Sequence, residues 1–130
     1  MNYLTHQLLN AEEINFIEKE LEQENQSWEN GKKTAGSHAS KVKNNLQLKR
    51  KSDTSKKLST LVKEKILNDH LIKSFTLPKI IHGIMFTKSS KGMKYGRHID
   101  NAYMSSGRAD LSFTIFLSEK SQYEGGELLI

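Results

Sequence analysis

The stretch Leu111-Ser112-Phe113-Thr114-Ile115-Phe116-Leu117-Ser118 decides the class of the C-terminal half. Successive side chains of an extended chain point to opposite faces. Leu111, Phe113, Ile115 and Leu117 therefore share one face, and Ser112, Thr114, Phe116 and Ser118 the other. Upstream, Ile80 to Thr87 is rich in β-formers and predicts a strand. Lys88-Ser89-Ser90-Lys91-Gly92 predicts a turn, Tyr95 to Asp100 a short strand, and Asn101 to Gly107 a loop. Downstream, Gly125-Gly126 predicts a turn and Glu127-Leu128-Leu129-Ile130 a further strand. An apolar strand there is an open edge, suited to a second copy in a homodimer or to a complementing chain.

Before Pro78 the period changes from 2 to 3.6. Asn10-Ala11-Glu12-Glu13 reads as a capping box, in which Asn10 and Glu13 satisfy each other's backbone N–H groups. Ile14, Ile17 and Leu21 follow at helical spacing and predict a helix from Ala11 to Gln23. Leu58, Leu61, Val62 and Ile66 form one stripe of a second helix, from Thr54 to Asn68. Between them, Trp28 to Gln47 is polar, holds Gly31 and Gly36, and is too polar to be core on its own. Pro78 closes the helical half. The expectation is one α+β domain over residues 1–130, with 1–78 mainly helix and loop and 79–130 the first core strands.

Of the 130 residues 35% are hydrophobic, which allows only a small core. There is no cysteine, so disulfides and thiolate metal sites are excluded, and His, Asp and Glu remain as metal ligands. No run of 18 apolar residues and no secretory pattern is present, so the expected location is cytoplasmic, with no membrane partner. The formal net charge is +5. The excess is local: nine Lys or Arg residues lie between Lys32 and Lys57, against Asp53 alone. This run reads either as a solvated loop and helix start or as a patch for an anionic partner. No aromatic residue interleaves with it, which counts against nucleic acid.

His98-Ile99-Asp100 is the candidate chemical motif. On a strand its imidazole and carboxylate point the same way and can reach one metal ion. They are two of the three groups of a 2-His-1-carboxylate facial triad. Alone, the triplet reads equally as an exposed histidine beside an aspartate capping the next loop.

The surroundings make the motif specific. Trp28-Glu29-Asn30-Gly31, Thr34-Ala35-Gly36, and Val42-Lys43-Asn44-Asn45 with Gln47 resemble, in order and spacing, the N-terminal signature of the PKHD-type hydroxylases. That bacterial family is similar to the prolyl 4-hydroxylases. Tyr95-Gly96 before His98-Ile99-Asp100-Asn101 resembles the family's metal motif. Arg108-Ala109-Asp110-Leu111-Ser112, Thr114 and Phe116-Leu117-Ser118 resemble its next strand, and Tyr123-Glu124-Gly125-Gly126-Glu127-Leu128 the hairpin after that.

The resemblance implies a double-stranded β-helix, a jelly-roll-like core, incomplete here at its C-terminal side. It implies an Fe(II)- and 2-oxoglutarate-dependent dioxygenase that hydroxylates a small molecule or peptide, with ascorbate as a candidate reductant for the iron. It assigns His98 and Asp100 as iron ligands. It also implies a second histidine ligand and an arginine for the distal carboxylate of 2-oxoglutarate, both expected beyond Ile130. None of His6, His38, His70 and His82 stands where that second ligand belongs; His82 is expected to be partly buried and satisfied. A truncated chain is expected to bind metal weakly and turn over little.

Other residues carry smaller expectations. Tyr95 reads as a hydrogen-bond donor to a bound 2-oxo acid or as a packed aromatic. Lys43-Asn44-Asn45 reads as a lining of the site mouth or as a loop held by local asparagine bonds. Arg108 and Asp110 read as an ion pair.

Overall fold

Both halves of the predicted capping box form. Glu13 N–H donates to Asn10 Oδ1 at 2.9 Å, and Asn10 N–H donates to Glu13 Oε2 at 3.0 Å. They start the first helix where the sequence predicts it. In this computed structural model, which describes residues 3–129, the helices are α1 (Ala11–Gln23), α2 (Ala39–Val42), α3 (Asp53–Asn68) and α4 (His70–Thr76). The strands are β1 (Trp28–Asn30), β2 (Lys43–Asn44), β3 (Leu46–Leu48), β4 (Thr87–Lys88), β5 (Lys94–Tyr95), β6 (Tyr103–Met104) and β7 (Gly107–Arg108). Helices with antiparallel strands make the class α+β, as expected.

The central strand is β3. It pairs with β1, placing Trp28 opposite Leu48, and with β4, placing Gln47 opposite Thr87. β2 pairs with β5, and β6 with β7. The core lies between α1, α3 and β3: Ile17, Leu48, Leu58 and Val62 are all but fully buried, with Ile84 and Phe86 beside them. Ion pairs of Lys57 with Glu20 and of Lys65 with Glu13 link α3 to α1 at the surface.

Several expectations are corrected. The polar stretch from Trp28 to Gln47, too polar to be core on its own, packs against the core that the helices supply: it gives β1, β2 and most of β3, and Lys43, Asn45 and Gln47 are buried. Its side chains satisfy much of their polarity among themselves, which makes burial tolerable. Of the strand predicted from Ile80 to Thr87, only Thr87 enters a ladder, although Leu48 N–H donates to Phe86 O at 2.9 Å. Of the strand predicted from Tyr95 to Asp100, only Tyr95 does. The alternating stretch Leu111 to Ser118 is in no ladder among the described residues. Its face divides: Ile115 and Leu117 pack on the core, while Leu111 and Phe113 are exposed. Glu127 to Leu129 is likewise in no ladder among the described residues, and Ile130 of that predicted strand lies outside them. Alternation fixes which faces a strand would show, but a ladder also needs a neighbour to bond.

α4 is an addition. Asp69 caps it by accepting from Ile72 N–H at 2.9 Å, and it ends at Leu77, in the left-handed region at φ 45°, just before Pro78. No helix among the described residues is long and apolar enough to cross a membrane.

Candidate functional site

The site is built on the short β2–β5 ladder. Lys43 stands opposite Tyr95, and Gly96 N–H donates to Val42 O at 2.8 Å. Gly96 is the last point of close approach, since a Cβ there would lie 3.0 Å from Val42 Cβ. Beyond it the chain leaves the sheet, with a bend at Arg97.

His98 Nδ1 is 2.8 Å from Gly96 O. A carbonyl only accepts, so Nδ1 carries the hydrogen and donates. The other nitrogen, Nε2, then has its lone pair free, and it is 3.2 Å from Asp100 Oδ1. Asp100 is exposed, His98 is three-quarters covered, and the intervening Ile99 is 94% exposed. The two donors thus meet on one side of a segment that is in no ladder, with Ile99 on the other. A neutral imidazole lone pair facing a carboxylate at that distance is repulsive unless a cation, a proton or a metal ion, lies between them. A histidine fixed through Nδ1 to a carbonyl is also the usual arrangement of a metal-ligating imidazole. The chemistry of this pair therefore fits a divalent metal. Among the described residues, no group of three or more His, Cys, Asp or Glu side chains could hold one.

Tyr95 backs the imidazole. The two rings are stacked with centroids 3.7 Å apart and 9° between their planes. Burial, and then the negative charge of Asp100, push the Tyr95 hydroxyl above its ordinary value, so it is a neutral phenol at physiological pH. On the ladder side, Lys43 Nζ lies 4.9 Å from the centre of the Tyr95 ring. The ammonium is held below the usual lysine value, first by burial and then by Arg50.

Beneath this lies a polar layer that sequence reasoning missed as a unit. Lys43 Nζ donates to Gln47 Oε1 at 3.4 Å, and Thr34 Oγ1 donates to the same atom at 2.7 Å. Asn45 Oδ1 is buried and has no hydrogen-bond partner among the described residues. Gly31 roofs the layer: its N–H donates to Asn45 O at 2.9 Å, and any Cβ on it would overlap Asn45 Oδ1. The signal was present, because Lys43, Asn45 and Gln47 stand at i, i+2 and i+4 of an extended segment. Within Lys43-Asn44-Asn45, Asn44 is exposed while Lys43 is buried beside Tyr95 and Asn45 beneath Gly31.

The other histidines are elsewhere. His82 is half-buried and uses both ring nitrogens, with Ser106 Oγ at 2.7 Å and Arg108 O at 2.8 Å, which matches the expected satisfied histidine. His6 pairs with Asp69 at 2.7 Å. The expected Arg108–Asp110 pair forms at 2.7 Å. The basic run is dispersed: Lys33 pairs with Glu29, Lys56 with Asp53 and Lys57 with Glu20, and Lys43 is buried.

Along its whole length the chain is 72% identical to the PKHD-type hydroxylases of Prochlorococcus marinus strains MIT 9215 and MIT 9301. It is 57% identical over 130 residues to a PKHD-type hydroxylase of strain MIT 9211. The chain spans 59% of the length of each of these relatives. No family model matches it, and no solved structure matches it.

Proposed function

We propose, from the premise that these 130 residues belong to the PKHD-type hydroxylase family, that His98 and Asp100 are two protein ligands of a catalytic Fe(II) in a 2-oxoglutarate-dependent hydroxylase. The observation that carries this reading is the convergence of His98 Nε2 and Asp100 Oδ1 at 3.2 Å, with Nδ1 turned away to Gly96 O. When bound, the metal would supply activation of O2, with 2-oxoglutarate, O2 and a C–H substrate giving succinate, CO2 and the hydroxylated product. The remaining work falls to this chain. Asp100 brings the negative charge, Gly96 O fixes the imidazole tautomer, Tyr95 fixes the ring plane, and the Tyr95 hydroxyl is proposed to donate to a 2-oxo acid.

The rest of the reading follows the family. The core is proposed as part of a jelly-roll-like double-stranded β-helix in the cytoplasm, with ascorbate keeping the iron reduced. A second histidine and an arginine are proposed to come from outside these 130 residues, because two ligands hold Fe(II) weakly. Leu111, Phe113, Phe116, Leu128 and Leu129 are exposed, which supports a second reading of these two segments as ones that take a complementing chain or a second copy.

Fe(II)-dependent consumption of 2-oxoglutarate under air, compared with Asp100→Ala, tests the proposal. Low turnover that Asp100→Ala abolishes is expected. Turnover unchanged by Asp100→Ala would contradict it.

A further inference from the structure

Part of the basic run converges on a recess that the iron reading does not use. Arg50, Lys56 and Lys63 line a cleft of about 310 Å³ between one face of α3 and the extended segment His82-Gly83-Ile84. Helical spacing sets Ser55, Ser59 and Lys63 on one row of α3, with Lys56 on the next row. Arg50 precedes α3 and reaches the opposite wall, where its Nη1 lies 3.8 Å from the place a Cβ on Gly83 would take. No Asp or Glu lines the cleft. Among the described residues no carboxylate lies within 4 Å of Arg50 or Lys63, and Lys56 reaches only the fully exposed Asp53, at 3.8 Å. His82 already has both ring nitrogens engaged. Buried Ser55 and Ile84 form the floor. Ser55 is 2% exposed; its N–H donates to Ser52 Oγ, and its hydroxyl has no hydrogen-bond partner among the described residues. A buried hydroxyl without a partner, below three cations without a counter-charge in the cleft, suits an anion with several acceptor oxygens.

We propose that this cleft is a binding site for a phosphate dianion, free or as the head of a small phosphate ester. A phosphate monoester carries close to two negative charges at neutral pH and three strong acceptor oxygens. The planar fork of Arg50 suits two of those oxygens, Lys56 and Lys63 supply point charges, and the Ser55 hydroxyl donates to the third oxygen. A monocarboxylate has one charge and two oxygens for the same four groups. The volume takes a phosphate and a small organic group. No Phe, Tyr or Trp lines the cleft, so a nucleic-acid base has nothing to stack on. None of Tyr95, His98 and Asp100 lines it either, so binding there does not rest on the metal reading.

The test is an amide-resolved NMR titration of the metal-free 130-residue chain, at fixed ionic strength in chloride, with glycerol 3-phosphate, inorganic phosphate and 2-oxoglutarate. Saturable shifts centred on Ser55, Ser59 and Gly83 are expected with both phosphates. Arg50→Gln and Lys63→Gln, neither at a buried position, should each weaken binding about tenfold, as loss of a charged hydrogen-bond partner implies. Lys91→Gln, exposed and outside the cleft, should leave it unchanged. Tighter binding of the ester than of inorganic phosphate would identify the ligand as an ester, and equal affinity would identify it as free phosphate; both uphold the site. Absence of saturation, shifts spread over exposed lysines elsewhere, or affinity unchanged by both Arg50→Gln and Lys63→Gln would overturn the proposal. So would 2-oxoglutarate binding as tightly as glycerol 3-phosphate, which would assign the cleft to a dicarboxylate. Because no metal is added, the result is independent of whether His98 and Asp100 hold iron.

Discussion

The Tyr95 ring lies parallel to the His98 imidazole, with 3.7 Å between centroids and 9° between planes. Since Gly96 O holds Nδ1, the tyrosine is the second constraint on where Nε2 points. Tyr95→Phe keeps the stack and is expected to keep divalent-metal affinity. Tyr95→Ala removes it and is expected to weaken affinity roughly 10- to 100-fold, the usual range for a group that orients a ligand. Calorimetric titration with Mn(II) measures both.

Gly31 has no room for a side chain against Asn45 Oδ1, whereas Gly36 has nothing within 4 Å. Gly31→Ala is therefore expected to lower the stability by about 1–3 kcal/mol through overpacking. Gly36→Ala should change it by less than about 0.5 kcal/mol. Urea unfolding of the two variants makes the comparison, and equal effects would contradict the roof that Gly31 provides.

Lys43 is predicted to weaken the fold it belongs to. Its folded-state value lies below the ordinary 10.5, first because of burial and then because of Arg50. The unfolded chain thus holds this proton more tightly than the folded one. The resulting cost is fully present below the folded value and fades as pH rises from there towards 10.5. Lys43→Met should melt higher than the unmodified chain at neutral pH, with the gap narrowing as pH rises through that window. A lower melting point at neutral pH would show that the Gln47 and Tyr95 contacts outweigh the burial.

The capping box carries a pH dependence of the same sign, in the acid range, but from a group that stabilises the fold. The Glu13 carboxyl is held below its ordinary 4.5, first by Lys65 and then by the Asn10 N–H. Its contribution is present above 4.5 and is lost as pH falls below it. Glu13→Gln should flatten the acid limb of a stability–pH curve. Asn10→Ala should cost about 1 kcal/mol at neutral pH.

The helices were legible because their signals are local. Asn10 and Glu13 name the start of α1, and Leu58, Val62 and Ile66 name the buried face of α3. The extended segments were legible by face and not by pairing. Ile115 and Leu117 touch the core as their alternation requires, yet no neighbour bonds their backbone among the described residues. The candidate site was half legible. His98 and Asp100 were chosen from spacing and surroundings, but the segment that carries them leaves the ladder after Tyr95. The layer of Thr34, Lys43, Asn45 and Gln47 was hidden by its polarity, because hydrophobic patterning places such residues outside. Only the close approach of Gly31 reveals why they are inside.

The most direct test of the proposed metal centre is paramagnetic broadening of amide resonances by sub-stoichiometric Mn(II). The account predicts loss of signal centred on Gly96 to Asn101, abolished by Asp100→Ala and by His98→Ala. Broadening centred elsewhere, or persisting in both variants, would contradict it.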